Sequence, residues 1–309
     1  NSITYGMTLA DPATESYPAQ LQQMLGDGYE VGNFGKSGAT LLRHGHRPYT
    51  EQAEWAKAKA FKGDIAVIHL GVNDTDPRNW PFYRDEFVSD YLALIDTLRQ
   101  QNPKCRVLVA LLSPITHNHP RFESGTQQWH EEIQEAIKTV ARVGKAQLID
   151  FHKPLYAYPQ LLPDAVHPNK EGATMLARTV CAAILGNYGG LQMPMTYSDN
   201  MVLQRDRELT IHGTANSGER VTVSITRHDA AKGKSANGAK RKKGKQPMRV
   251  RALKTEVQTA TAKADQNGYW QVTLRPQRAE NGLTLTVSTD EKELRYNNVA
   301  FGEVWLCSG

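Results

Sequence analysis

From residue 1 to about 188, short apolar runs alternate with longer amphipathic ones, and after Gly189-Gly190 short runs of alternating β residues follow one another between turns. Few folds accept such a chain. Strands alternating with helices demand a parallel sheet with crossover helices, and closely spaced short strands demand a β module. The pattern predicts strands over 29–34, 64–70, 106–112 and 146–150. It predicts helices over 13–25, 51–60, 83–101, 126–143 and 170–185, with Pro12 after Asp11 as a start signal and Gly26 as a stop. In the second part strands are expected over 210–213, 220–226, 270–274, 283–288 and 298–306.

In an open parallel sheet, ligands sit outside the carboxyl ends of the strands. Four short motifs belong at that edge: Asn1-Ser2-Ile3-Thr4-Tyr5-Gly6, Asn33-Phe34-Gly35-Lys36-Ser37-Gly38, Gly71-Val72-Asn73-Asp74 and Asp164-Ala165-Val166-His167-Pro168. Singly, each is an ordinary turn, strand end or helix cap. Jointly they supply what acyl transfer needs. A serine hydroxyl is a poor nucleophile at neutral pH until an imidazole accepts its proton and a carboxylate fixes that imidazole's tautomer. Ser2, His167 and Asp164 fit those roles, the last two within reach of each other on one turn. The tetrahedral intermediate also needs fixed donors. The Ser2 and Gly35 amides and the Asn73 side chain are the candidates for that oxyanion hole.

The four motifs in this order resemble the SGNH (GDSL-type) hydrolases, whose blocks are named for the Ser, Gly, Asn and His that fall here on Ser2, Gly35, Asn73 and His167. A second resemblance lies downstream. Tyr197-Ser198-Asp199-Asn200-Met201-Val202-Leu203-Gln204-Arg205, Gly268-Tyr269-Trp270 and Gly302-Glu303-Val304-Trp305-Leu306-Cys307-Ser308-Gly309 resemble the β domain of bacterial sialate O-acetylesterases with two catalytic domains. The resemblance implies a flavodoxin-like three-layer α/β sandwich with a parallel sheet over 1–188. An all-β sandwich or jelly-roll-like domain over 189–300 would follow, and residues 301–309 would open a second SGNH domain. It also implies a strand before Ser2, so the chain reads as a piece of a longer polypeptide, or else 301–309 fills that position.

The implied activity is hydrolysis of O-acetyl esters on carbohydrate, with sialic acid preferred. An acetyl esterase acting on a neutral polysaccharide and a non-catalytic carbohydrate-binding scaffold are the other readings. A secreted or periplasmic bacterial setting goes with an external glycan. Acyl transfer of this kind requires no metal or organic cofactor. Arg43 is the candidate partner for an acidic sugar, and His119, in one of two His-x-His pairs (His44/His46 and His117/His119), is placed at the pocket rim. Trp80 and Trp129 could also meet a sugar, although Trp129 fits a helix core.

The net charge of +5 hints at nucleic acid until it is located. Ten of the positive charges fall between Lys232 and Lys254, and the rest of the chain is net negative without them. That Gly/Ser/Ala-rich stretch, about 229–256, reads as a flexible insertion, so no nucleic-acid partner is expected. No apolar run is long enough to span a membrane. Cys105, Cys181 and Cys307 show no metal-site or disulfide spacing and are read as structural.

Overall fold

The computed structural model describes residues 1–228 and 254–305, so most of the basic insertion and residues 306–309 lie outside the described residues. The chain divides into two compact units, Asn1–Leu185 and Gly186–Gly309. No helix among the described residues is long and apolar enough to cross a membrane.

The first unit is an α/β layer structure. Its helices are α1 (Ser2–Tyr5), α2 (Pro12–Glu15), α3 (Tyr17–Leu25), α4 (Ala53–Phe61), α5 (Trp80–Tyr83), α6 (Phe87–Gln101), α7 (Gln127–Val143), α8 (Lys153–Tyr156) and α9 (Lys170–Leu185). Strands β1 (Ile65–Ile68), β2 (Arg106–Leu111) and β3 (Gln147–Asp150) form a parallel sheet in the order β1-β2-β3. Right-handed crossovers advancing in one direction put their helices on one face, so α6 and α7 share a side and pack together, while α3 meets α9. Leu108, Val109 and Ala110 are fully buried at the centre of the sheet, in one core with Ile95, Ile133 and Ile137.

Two expectations change here. The helix anticipated over 13–25 breaks at Ser16, whose extended backbone caps α3 ahead of Pro18. Residues 29–34 form no strand. A strand exists only by pairing, and this segment's polar groups are met by side chains instead: Gln22 Oε1 accepts the Val31 N–H, Gln22 Nε2 donates to the Tyr29 carbonyl, and the Tyr49 hydroxyl donates to the Phe34 carbonyl. The segment and β1 both line a cavity of about 750 Å³, walled by Leu21, Leu25, Leu94 and Leu98.

The second unit is all β. A mixed five-stranded sheet has the order β4 (Val202–Gln204), β10 (Glu293–Gly302), β9 (Glu280–Ser288), β6 (Arg220–His228) and β7 (Lys254–Lys263). Only β4 and β10 run parallel in it. Strands β5 (Leu209–Thr214) and β8 (Tyr269–Leu274) make a separate antiparallel pair, and Ile211, Trp270 and Val272 bury into the same core as Val223, Leu285 and Phe301. Among the described residues this is an unequal, curled two-sheet arrangement, and the eight strands in two Greek keys that define a jelly roll are not seen. Residues 301 and 302 end β10, pairing with β9 and β4 of their own unit, and Glu303, Val304 and Trp305 form no strand.

Candidate active site

Ser2 is the first residue of α1, a single turn fixed at both ends. The Asn1 side chain accepts the Thr4 N–H at 3.0 Å, and Gly6 closes the turn at φ +92°. A Cβ at Gly6 would meet Ser16 Cβ at 2.9 Å, so glycine is needed for the close approach as well as the left-handed backbone. The buried Asn1 amide also donates to the His69 carbonyl at 2.7 Å, tying α1 to the carboxyl end of β1. His69 is buried beyond it, and desolvation holds its imidazole neutral, with a pKa near 3. Sequence reading missed both residues, because neither Asn1 nor His69 carries a motif role by itself.

The Ser2 Oγ lies 2.7 Å from His167 Nε2, and His167 Nδ1 lies 2.7 Å from Asp164 Oδ2. The other carboxylate oxygen of Asp164 accepts the backbone N–H groups of Val166 and His167 at 3.1 and 2.7 Å, so one aspartate both builds the turn and orients the ring. Burial pushes the Asp164 pKa up, but the bonds from His167 and Val166 together outweigh it and leave the carboxyl below its ordinary value. Between the two residues Ala165 takes φ +73°, a conformation costly for a side chain. It is held by bonds on both sides: its N–H donates to the Leu162 carbonyl and its carbonyl accepts the Thr116 N–H.

The second and third motifs are joined by hydrogen bonds. Asn73 sits on a 3-10 turn (Val72–Thr75) entered through Gly71 at φ +125°, where a Cβ would press on Ile133 and Leu112. Its Nδ2 donates to the Ala39 carbonyl at 2.9 Å, leaving the second amide hydrogen free of that bond, and Asn79 Nδ2 holds the Asn73 carbonyl. Fully buried Asp74 accepts the Leu41 and Leu42 N–H groups, each at 2.9 Å, and so clamps the loop after the second motif onto the Asn73 turn.

Gly35 is a correction. Its N–H donates to Asn33 Oδ1 at 2.9 Å, and its α-carbon rests against α1, where a Cβ would lie 2.2 Å from the Tyr5 nitrogen. The glycine is required for packing and its amide is engaged. Gly38, three residues on at φ +75°, keeps an N–H that meets no acceptor among the described residues. Both glycines are visible in the sequence, and only the fold shows which amide is free.

Other candidates are placed as follows. The Arg43 guanidinium pairs with Asp90 at 3.8 Å, and Asp90 also accepts the Arg43 N–H, so a residue read as a substrate partner is held by the protein. His119 lies on the loop that Thr116 anchors to Ala165, and its ring accepts the Arg121 N–H; burial and Arg121 lower its pKa. His44 pairs with Glu86, whereas His46 engages Asn79. Among the described residues no group of three or more His, Cys, Asp or Glu is placed to hold a metal. Trp80 is buried, donating to Glu132, and Trp129 packs partly buried on the core; neither is a free sugar platform. Cys105 and Cys181 are free thiols inside or beside the core.

Two measurements test these assignments. Asn73→Ala should lower kcat for an acetyl ester by about 10²–10³-fold, the usual loss for one oxyanion donor; a loss confined to KM would remove Asn73 from the oxyanion hole. Asp74 is pushed up to about 6 by burial, against the pull of the bonds from Leu42 and Leu41. A carboxyl raised by folding favours its protonated form, so its contribution is complete below the ordinary aspartate value and is lost as pH rises through about 6. Relative to Asp74→Asn, the native protein should therefore lose up to about 3 kcal/mol of stability between pH 4 and pH 7. Denaturant unfolding of both proteins at the two pH values checks this, and a constant gap would refute it.

Residues 1–175 match the GDSL-like lipase/acylhydrolase family. An acetylxylan esterase of Xylanibacter ruminicola is 36% identical over 200 residues, 60% of this chain and 42% of that protein, so the chain spans less than half of the curated relative's length. Among solved structures, the acetyl xylan esterase AlAXEase is 22% identical over 60% of this chain and 96% of its own, with a TM-score of 0.47. The carbohydrate acetylesterase Est24 of Sinorhizobium meliloti is 19% identical over 60% and 95%, with a TM-score of 0.45. The family match covers more than half of the chain, and its span contains Ser2, Asn73, Asp164 and His167. This chain belongs to the GDSL-like lipase/acylhydrolase family.

Proposed function

We propose that the first unit is a serine esterase that removes O-acetyl groups from carbohydrate through an acetyl-enzyme. The continuous relay from Ser2 Oγ through His167 to Asp164, with both links at 2.7 Å, carries this reading. Ser2 Oγ attacks the acetyl carbonyl and passes its proton to His167 Nε2, while Asp164 stabilises the imidazolium. The Ser2 N–H, an orphan donor of the first helical turn, the Gly38 N–H and the free hydrogen of Asn73 Nδ2 receive the oxyanion. Collapse breaks the bond to the sugar oxygen, which takes the proton from His167. Water then attacks the acetyl-Ser2 ester with His167 as base, and acetate leaves.

A carbohydrate acetyl ester is supported by the acetylxylan esterase of X. ruminicola. Sialic acid as the particular sugar loses the partner first assigned to it, because Asp90 holds Arg43. Acetate release from acetylated xylan and from O-acetylated sialic acid tests the reading. Release from either, lost on Ser2→Ala, supports carbohydrate deacetylation. Hydrolysis of long-chain acyl esters with neither acetylated glycan cleaved would replace it with a lipase.

A further inference from the structure

The loop carrying Gly38 holds a cation that the acyl-transfer steps do not use. Arg47 is exposed, and its side chain lies over Gly38: a Cβ built on that glycine would be 3.4 Å from Arg47 Nη1 and 3.6 Å from its Cδ. Its backbone is fixed. The Arg47 carbonyl accepts the Thr40 N–H at 2.9 Å, Thr40 bridges to Pro48, and the Thr40 carbonyl accepts the Tyr49 N–H. Asp74 clamps the same loop through Leu41 and Leu42.

Charge neutralisation separates Arg47 from its neighbours. Arg43 pairs with Asp90, Arg78 and Arg121 with Asp76, and Arg84 with Glu132. No carboxylate or carbonyl meets the Arg47 guanidinium among the described residues. A rigidly based, uncompensated guanidinium beside a free amide offers a planar fork of donors that a carboxylate matches and a neutral sugar hydroxyl does not.

We infer that Arg47 binds the carboxylate of an acidic sugar whose O-acetyl group is presented to Ser2, and so selects acetylated sugar acids over neutral acetylated sugars. The inference deepens the acetylesterase reading and rests on it. Arg47 is a specificity determinant and leaves the acyl-transfer steps to Ser2, His167 and Asp164.

The test compares the native protein with Arg47→Gln and Arg47→Lys on four acetyl esters: acetylated oligogalacturonide, O-acetylated sialic acid, acetylated xylo-oligosaccharide and a small neutral aryl acetate. For at least one acidic substrate, Arg47→Gln should lower kcat/KM about tenfold or more through KM, the scale of one hydrogen-bonded charge pair. The two neutral esters should stay within about twofold, and Arg47→Lys should retain part of the preference because it keeps the charge without the fork. The acidic substrates should also weaken with added salt. A fall of equal size on neutral and acidic esters, or no fall on either acid, overturns the inference.

A binding arm separates it from the esterase reading. Saturation-transfer NMR of the native protein with galacturonate and with N-acetylneuraminate, against galactose, should show binding of an acid that Arg47→Gln abolishes. Binding without turnover of any ester sinks the esterase reading and keeps the carboxylate site. Turnover without acid binding does the reverse.

Discussion

Ser2→Ala is expected to lower kcat for acetyl-ester hydrolysis by about 10⁴–10⁶-fold, leaving only what the oxyanion donors and binding supply. The fold should survive the change. The Ser2 hydroxyl contacts His167 Nε2 at the site, while α1 is held by Asn1, Gly6 and the bonds to the end of β1. A fluorophosphonate should label the native protein at Ser2, label Ser2→Ala nowhere in this unit, and react slowly with His167→Ala, whose serine has lost its base. A native protein that neither labels nor releases acetate would return the chain to the scaffold reading.

The second large effect belongs to Asp164→Asn, with an expected loss of about 10⁴-fold in kcat and little change in KM. The carboxylate does two things at once: Oδ1 receives the Val166 and His167 N–H groups, and Oδ2 receives His167 Nδ1–H. An asparagine whose oxygen keeps the turn must aim its NH₂ at Nδ1. The ring then carries its proton on Nε2, where it donates to Ser2 Oγ and can no longer accept from it. Because folding lowers the Asp164 pKa, the carboxylate's contribution is complete above the ordinary aspartate range and is lost only as pH falls through its lower folded value. The native and variant rates should therefore stay widely separated throughout neutral pH. A loss of less than tenfold, measured by steady-state kinetics at pH 7, would mean that Asp164 shapes the turn without setting the tautomer.

The spacing of Asp164 and His167 was legible in the sequence because a three-residue separation on one turn is a local matter. The same holds for the helices over 126–143 and 170–185, whose period survives as α7 and α9 with almost unchanged bounds. Strand existence is less local. Residues 106–112 become β2 because β1 and β3 lie on both sides of them, and residues 29–34, which carry Glu30, Gly32 and Asn33 among their apolar residues, stay unpaired because no strand lies against them in the described chain. Propensity supplies the extended backbone, and only a neighbour supplies the ladder.

By itself, the sequence determined the α/β order of the first unit, the change to β structure after residue 190, and which residue types could perform acyl transfer. Tertiary structure decided the rest. It placed Ser2 and His167, 165 positions apart, at hydrogen-bond distance. It spent the Gly35 amide on Asn33 and left that of Gly38 open, and it gave Arg43 to Asp90 while leaving Arg47 unpaired. The physical reason is common to all of these. Residue type fixes what a group can donate, accept or carry, but whether it is already satisfied depends on partners brought from distant parts of the chain, and only folding chooses them.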